Sequence, residues 1–380
     1  MAVIGGGVAG LSAAWHLRVN TDNDVHLFEA EEKLGGHAYT TNVNGTDVDI
    51  GFMVFNHSNY PNMTKWFEAL GVKEEDSDMS LSVSLDEGKT VEWNSDGLNG
   101  LFAKRSQMAS PAFYTYIQDM LRFNHEAAEI LLLPDDDPRK QVTTRQYLKD
   151  NGYSNAFGTY YLLPMMAALW SASLEDVLKF PASQLIGFLC NHKMLQLFDR
   201  PQWKTVAGRS VQYTSKVQEV VGESNVHVAF PVASIGKDSD GKYSIKGSDE
   251  TQIQGGFDQI IFACHPPTAK AILDLSEKDI MDPDLASLLD KIEYEDNVIY
   301  VHSDPKLMPK RKRAWASWNC LGKAHYLESL QTSSSAKKGE AFEGAESGFG
   351  NTAKEKDHFD HLEGEQGRMK AVYVTYWFPP

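Results

Sequence analysis

The chain opens on a short apolar run, residues 2–4. Glycines follow at once, and after them residues 8–19 place their apolar side chains at helical spacing. A polar turn at residues 21–24 leads into a second apolar run at 25–28. Strand, glycine turn, helix, polar turn and strand in that order predict a β-α-β unit. Two shorter strands are expected at 39–43 and 47–50, with Asn44-Gly45 between them as the favoured dipeptide of a tight hairpin turn. That hairpin would make the first sheet mixed.

From Ser58 to about Asn191 the pattern turns mostly helical. Phe113, Ile117, Met120, Leu121, Ala127, Ala128 and Leu131 fall largely at three- and four-residue steps. Residues 226–264 revert to strands, at 226–229, 232–235 and 259–263 with a hairpin around Asp240-Gly241, which would return the chain to its first sheet. From Gln331 to Gly367 there are six glycines, eight acids and four lysines, and Leu362 is the only Leu, Ile, Val or Met. So little apolar surface cannot offset the entropy of ordering, and residues 331–368 are expected to be a disordered insert. A last strand is expected at 369–378, ahead of Pro379-Pro380.

With 42% hydrophobic residues among 380, the chain can bury a sizeable core, and its length suggests two domains. The 52 acids against 36 basic residues give a net charge of -16, which would repel a phosphate backbone and argues against nucleic acid as a partner. Three cysteines, Cys190, Cys264 and Cys320, have neither CxxC nor Cys/His spacing. No disulfide framework and no metal site is expected, and a reducing compartment suits them. No apolar run reaches the roughly 18 residues of a membrane span, the longest being 160–170. No signal peptide is visible, so a soluble cytoplasmic or organellar protein is expected. Only three apolar residues precede the glycines, and the natural start is expected upstream.

Chemistry concentrates in Gly5-Gly6-Gly7-Val8-Ala9-Gly10, a GxGxxG with Gly5, Gly7 and Gly10 in register. Gly5 would allow the tight turn, Gly7 the approach of a pyrophosphate and Gly10 the close packing of helix on strand. The helix N-terminus at Val8 and Ala9 would direct free N–H groups at the phosphates. Glu29, followed by Ala30, lies nineteen residues beyond Gly10, where an acid can accept from ribose hydroxyls. This fingerprint alone leaves NAD and FAD open. The glycine doublet Gly35-Gly36, followed by His37, and the later Val48-Asp49-Ile50-Gly51-Phe52 suit further close approaches to a long cofactor.

These motifs resemble the flavin-dependent amine oxidase superfamily. Asp49 to Asn56, Tyr60-Pro61-Asn62, Asp78-Met79-Ser80, Arg200-Pro201-Gln202-Trp203, Ala263-Cys264-His265 and Trp315 to Asn319 resemble more closely one subgroup. Its members are the NAD/FAD-binding amine-oxidase-like proteins found beside or fused to cyclopropane fatty acid synthases. The resemblance runs from Ala2 to about Asn319 and resumes at 372–377. It implies FAD as cofactor, with the doublet near the pyrophosphate, Gly51 and Phe52 near the isoalloxazine ring, and the backbone of Val232 paired with adenine. The chain departs from the subgroup at Ala207-Gly208-Arg209-Ser210, where a glycine pair usually precedes the serine. The superfamily also ends in a glycine-rich strand-to-helix segment facing the flavin, which nothing after Trp377 supplies. A truncated C-terminus is therefore expected.

His37 could face the flavin or simply be solvated. Trp203 could wall a substrate pocket, and Met166 and Trp170 could line an apolar channel, although tryptophans and helix methionines are more often core. Cys264 and His265, read as neighbours on a strand, would point to opposite faces and form no dyad. Lys310 to Arg313 reads as a solvated basic loop. The expected fold is α/β, a discontinuous Rossmann-like FAD-binding domain (1–58 and 195–272) beside a mixed α+β substrate domain (59–194, 273–330 and 369–380). The resemblance implies an FAD-dependent oxidoreductase passing hydride from a C–C or C–N bond to flavin N5. A small-molecule substrate, in particular an acyl lipid, is expected. A small amine and a non-catalytic FAD-binding fragment are the alternatives. No catalytic residue is assigned.

Overall fold

The computed structural model describes residues 1–170, 172–196, 200–249, 253–277, 280, 282–292, 294, 299–332 and 373–376. The chain divides into two compact units, the first formed by Met1–Ser77 and Gln202–His302 and the second by Asp78–Pro201 and Ser303–Pro380. Residues 59–77 thus belong with the opening β-α-β unit rather than with the helices that follow.

In the first unit β1 (Ala2–Ile4), α1 (Val8–Asn20) and β2 (His26–Phe28) form the expected crossover. β1 is buried along its whole length because strands pair with it on both sides. Ala2 is in register with Ile260 on one side and with His26 on the other, and both pairings are parallel. Burial on both faces is what a continuous apolar run in a parallel sheet requires. Strand Val226–His227 adds to the far edge of β2. α1 covers the sheet with Leu11 and Ala14, while Val8 and Val19 face solvent.

Two expectations about this sheet need correction. The hairpin of Thr40–Val43 and Thr46–Asp49 forms, with Asn44 and Gly45 at φ 52° and 83°, but it stands as a separate two-stranded sheet. The four-stranded sheet is accordingly all parallel. Residues 226–264 rejoin it only through Val226–His227 and Ile260–Phe262, and the strands between them form an antiparallel meander of their own.

The second unit is mixed α+β, as expected, and its sheet also draws strands from within the block expected to be mostly helical. Leu81–Leu85 and Val91–Asn94 pair as an antiparallel hairpin, and Trp318–Gly322 runs parallel to the first of them. Tyr373–Tyr376, the described part of the expected last strand, closes that sheet. The helices pack on it around a core that includes Val83, Trp93, Phe113, Tyr161, Met166 and Leu185. One turn, Gly158–Leu162, widens to π geometry. Pro164 has no N–H to offer the Tyr160 carbonyl four residues earlier, and the Trp93 indole donates to it instead at 2.9 Å.

The basic run is exposed at Lys310, Lys312 and Arg313, as expected of a solvated loop, while Arg311 is half-buried. Arg311 donates to the fully buried Glu92 at 2.7 Å and Arg313 donates to the Ala103 carbonyl at 2.5 Å. Gln331 and Thr332 close the helix Ala324–Thr332, whereas the rest of the segment expected to be disordered lies outside the described residues. Among the described residues no helix is long and apolar enough to cross a membrane.

Candidate functional site

The glycine turn sits where β1 ends, at the C-terminal edge of the parallel sheet, the edge at which open α/β sheets bind ligands. Its glycines answer to different constraints. Gly5 has φ +110°, and a Cβ there would lie 2.8 Å from the backbone of Ala263 and Cys264. A Cβ on Gly10 would lie 1.8 Å from the Gly5 carbonyl oxygen. Gly7 is held by neither conformation nor contact, since its φ of -73° suits any residue and the nearest atom to an added Cβ is the Gly36 Cα at 3.9 Å. Nothing among the described residues requires glycine at this position, where an added Cβ would make no more than an ordinary van der Waals contact.

Gly7 is also the N-cap of α1, and the helix start carries neither a side-chain cap nor an acid in its first turn. Val8 and Ala9 are exposed. The leading N–H groups of the helix are thus left to water or to an anion. Helix Val211–Val221 in the same unit gives the contrast. There the buried Asp49 carboxylate accepts from the Ser210 amide at 2.9 Å, the Ser210 hydroxyl at 2.8 Å and the Thr40 hydroxyl at 2.6 Å. One helix N-terminus is filled by the protein's own carboxylate and the other is left open beside glycine.

Glu29 follows β2. Its Oε2 accepts from the Gly6 amide at 2.6 Å and its Oε1 from the Glu31 amide at 2.9 Å. Each carboxylate oxygen retains an acceptor direction, as a ribose hydroxyl pair would need. Ala30 beside it is exposed. The Gly6 contact was not foreseen from sequence: a Cβ on Gly6 would lie 2.7 Å from Glu29 Oε2, so this middle glycine seats the acid beneath the turn.

The doublet packs on the same loop. Gly35 donates to the Gly6 carbonyl at 2.9 Å, and Gly35 and Gly36 have φ of 133° and 55°. Phe52 donates to the His37 carbonyl at 2.9 Å, and a Cβ on Gly51 would lie 1.7 Å from that oxygen. Residues 5–10, Glu29, 35–37 and 51–52 are thereby assembled around one opening. The Phe230 amide is bound by the Glu29 carbonyl at 2.9 Å, which brings Val232, two residues on, to the Glu29 side. Gly208 and Arg209 both adopt left-handed backbone, at φ 77° and 78°, so the chain keeps at Arg209 a conformation that favours glycine.

The substrate-side candidates fall in both units. Trp203 is half-buried in the first unit and begins a strand paired with Glu74–Ser77. Met166 is fully buried in the core of the second unit. Trp170, in that unit, packs against Phe180 and Phe188 with centroids 4.7 Å and 5.4 Å away. Cys264 and His265 lie beyond strand Ile260–Phe262, not on it, and His265 is the N-cap of helix Pro266–Asp274. Burial raises the Cys264 thiol above its usual range, which leaves it protonated and unsuited to nucleophilic work.

A parallel β-α-β unit with a glycine cradle, an uncapped helix start and an acid closing the second strand defines a dinucleotide-binding protein of the Rossmann type. Residues 8–339 match the family described as flavin containing amine oxidoreductase. The chain belongs to that family of FAD-dependent oxidoreductases, and the room for a Cβ at Gly7, the free helix start and Glu29 fit FAD. Among solved structures it is similar to putrescine oxidase bound to putrescine, with a TM-score of 0.57 and 17% identity over 76% of this chain and 62% of that one. Cyclohexylamine oxidase from Brevibacterium oxydans gives 0.53 and 16% over 76% and 62%. The CLA-producing fatty acid isomerase from P. acnes gives 0.52 and 17% over 76% and 63%. These likenesses concern the fold, and this chain spans less than two thirds of each of those chains. A curated relative, coproporphyrinogen III oxidase from Mycobacterium leprae, is 46% identical over 55 residues, 14% of this chain and 12% of that protein.

Proposed function

We propose that this protein is an FAD-dependent oxidoreductase that oxidises a C–C or C–N bond of an apolar, acyl-lipid substrate. The observation that carries the cofactor half is the uncapped start of α1 at Gly7, a position that no described residue requires to be glycine. In this reading the first unit is the FAD-binding part. The amides at Val8, Ala9 and Gly10 bind the diphosphate, Glu29 binds the ribose, Gly35, Gly36 and His37 cover the pyrophosphate, Gly51 and Phe52 lie toward the ring, and Val232 meets the adenine. When bound, FAD supplies the hydride acceptor. The chain's own groups bind and orient it, and no protein nucleophile is needed.

Support for an acyl substrate comes from the resemblance to the proteins associated with cyclopropane fatty acid synthases and from the fold shared with a fatty acid isomerase. The putrescine and cyclohexylamine oxidases favour a second reading, oxidation of a small amine. Anaerobic titration of the FAD-loaded protein with acyl lipids, primary amines and polyamines separates them. Bleaching of the flavin absorbance by acyl lipids is expected, and bleaching by amines alone would replace the first reading with the second.

A further inference from the structure

The cofactor opening is poor in cations. Residues 5–10, 29–37, 51–52 and 263–267 contain one lysine, Lys33, against Glu29, Glu31 and Glu32, and no arginine. A diphosphate bound there would carry its negative charge next to three carboxylates, with the start of α1 as its main electrostatic support. Helix Pro266–Asp274, which also begins at this edge, adds little, because its first two residues are prolines and lack N–H groups.

Two imidazoles stand in this setting. His37 follows the doublet that packs on the glycine turn, and His265 follows Cys264, whose backbone touches the turn at Gly5. Their ring centroids are 5.1 Å apart, and both residues are exposed. Among the described residues neither ring has a hydrogen-bond partner. The Tyr294 ring also stacks on His265, with centroids 4.9 Å apart. Besides the two histidines, the ionisable groups of the segments around the opening are Glu29, Glu31, Glu32, Lys33 and Cys264. Cys264 remains a neutral thiol through neutral pH because burial raises it.

We propose that His265, together with His37, forms an imidazole pair that binds the anionic diphosphate of the dinucleotide and makes cofactor affinity depend on pH. The inference rests on the FAD reading and adds to it a residue, His265, that the glycine fingerprint does not contain. Histidine is the side chain whose charge changes between about pH 5 and 8. A protonated imidazole adds a positively charged donor to phosphate beside the neutral amides at the start of α1.

The test is FAD binding to the cofactor-free chain, followed by flavin fluorescence at about pH 6 and about pH 8, with riboflavin, which has no phosphate, as control ligand. The unaltered chain should bind FAD roughly tenfold more tightly at the lower pH, while riboflavin shows no such change. His265→Gln, which keeps hydrogen bonding but not the charge, and His37→Gln should each lose most of the gain, and the double variant should be flat. His265→Arg should bind tightly at both pH values, a rescue that a merely structural role for the ring would not give. His265→Gln with the affinity and pH profile of the unaltered chain would overturn the inference, and so would a double variant that keeps the pH response. If the unaltered chain bound no FAD at either pH, the cofactor reading itself would fall, an outcome distinct from normal FAD binding that ignores both histidines.

Discussion

Replacing Gly6 and Gly7 by alanine, one at a time, separates what the glycine turn does for the fold from what it does for the cofactor. At Gly7 the backbone is already in a conformation open to any residue, and the new methyl would meet nothing closer than Gly36 Cα at 3.9 Å. Alanine is a poorer N-cap than glycine by about 1 kcal/mol. That loss is offset by about 0.4–1 kcal/mol from the reduced entropy of the unfolded chain. The cofactor-free Gly7→Ala protein should therefore match the parent within roughly 0.5 kcal/mol. At Gly6 the methyl would lie 2.7 Å from both Glu29 Oε2 and Leu34 Cδ2. Glu29 must then move and give up the 2.6 Å bond from the Gly6 amide. A hydrogen bond to a charged group contributes about 1.5–3 kcal/mol, and Gly6→Ala should be destabilised by that order.

Binding should reverse the ranking. A methyl at position 7 occupies the space through which the diphosphate reaches the start of α1, so Gly7→Ala should lose at least about a hundredfold in FAD affinity, roughly 2.7 kcal/mol. Urea unfolding of the cofactor-free proteins and calorimetric titration with FAD read the two quantities separately. Normal FAD affinity in Gly7→Ala would refute the placement of the pyrophosphate. A destabilisation of cofactor-free Gly7→Ala as large as that of Gly6→Ala would refute the claim that the fold leaves position 7 free.

Three further outcomes are expected. Asp49→Ala strands the buried Ser210 amide and hydroxyl, and urea unfolding should show a loss of about 1–3 kcal/mol. Trp93→Phe removes the 2.9 Å donor to the Tyr160 carbonyl, and the same measurement should show a loss of about 0.5–1.5 kcal/mol, the net contribution of one such bond. His26 and His227 face each other at 3.0 Å, and burial, followed by the proximity of His26, lowers the pKa of His227. A histidine whose folded pKa is depressed contributes stability that is complete above its unfolded value, near 6.5, and is lost as pH falls through the folded value. The thermal midpoint should drop below about pH 6.5, and His227→Gln should flatten that decline.

The parts of the fold legible in the sequence are those where local pattern and tertiary environment agree. Residues 2–4 are apolar on both faces because the sheet buries both, and Asn44-Gly45 supplies the two positive φ values its turn needs. Leu81–Leu85 sits inside a mostly helical stretch, and its alternation of apolar and hydroxyl residues, LSVSL, implies one exposed face, yet all five are buried. Ser82 and Ser84 are accommodated there by donating to Asn319 and Glu92, partners 237 and 8 residues away. Polarity within a strand reads as exposure unless the distant partner is known.

The same distinction runs through the site. Gly5 and Gly10 are required by contacts within the turn and its neighbouring strands, so a short motif records them. Gly6 is required by Glu29, twenty-three residues on, and in the sequence it is simply the unassigned glycine between two that count. Asp49 stands inside a motif read for its glycine, but its own role is set by Ser210, 161 residues away, which supplies its main partners. In the sequence His265 has only Cys264 beside it, whereas its ring meets His37 from a segment more than two hundred residues earlier. A fingerprint preserves the part of a site where the backbone must come close to its ligand. The side chains that set charge around that ligand are chosen by the three-dimensional neighbourhood.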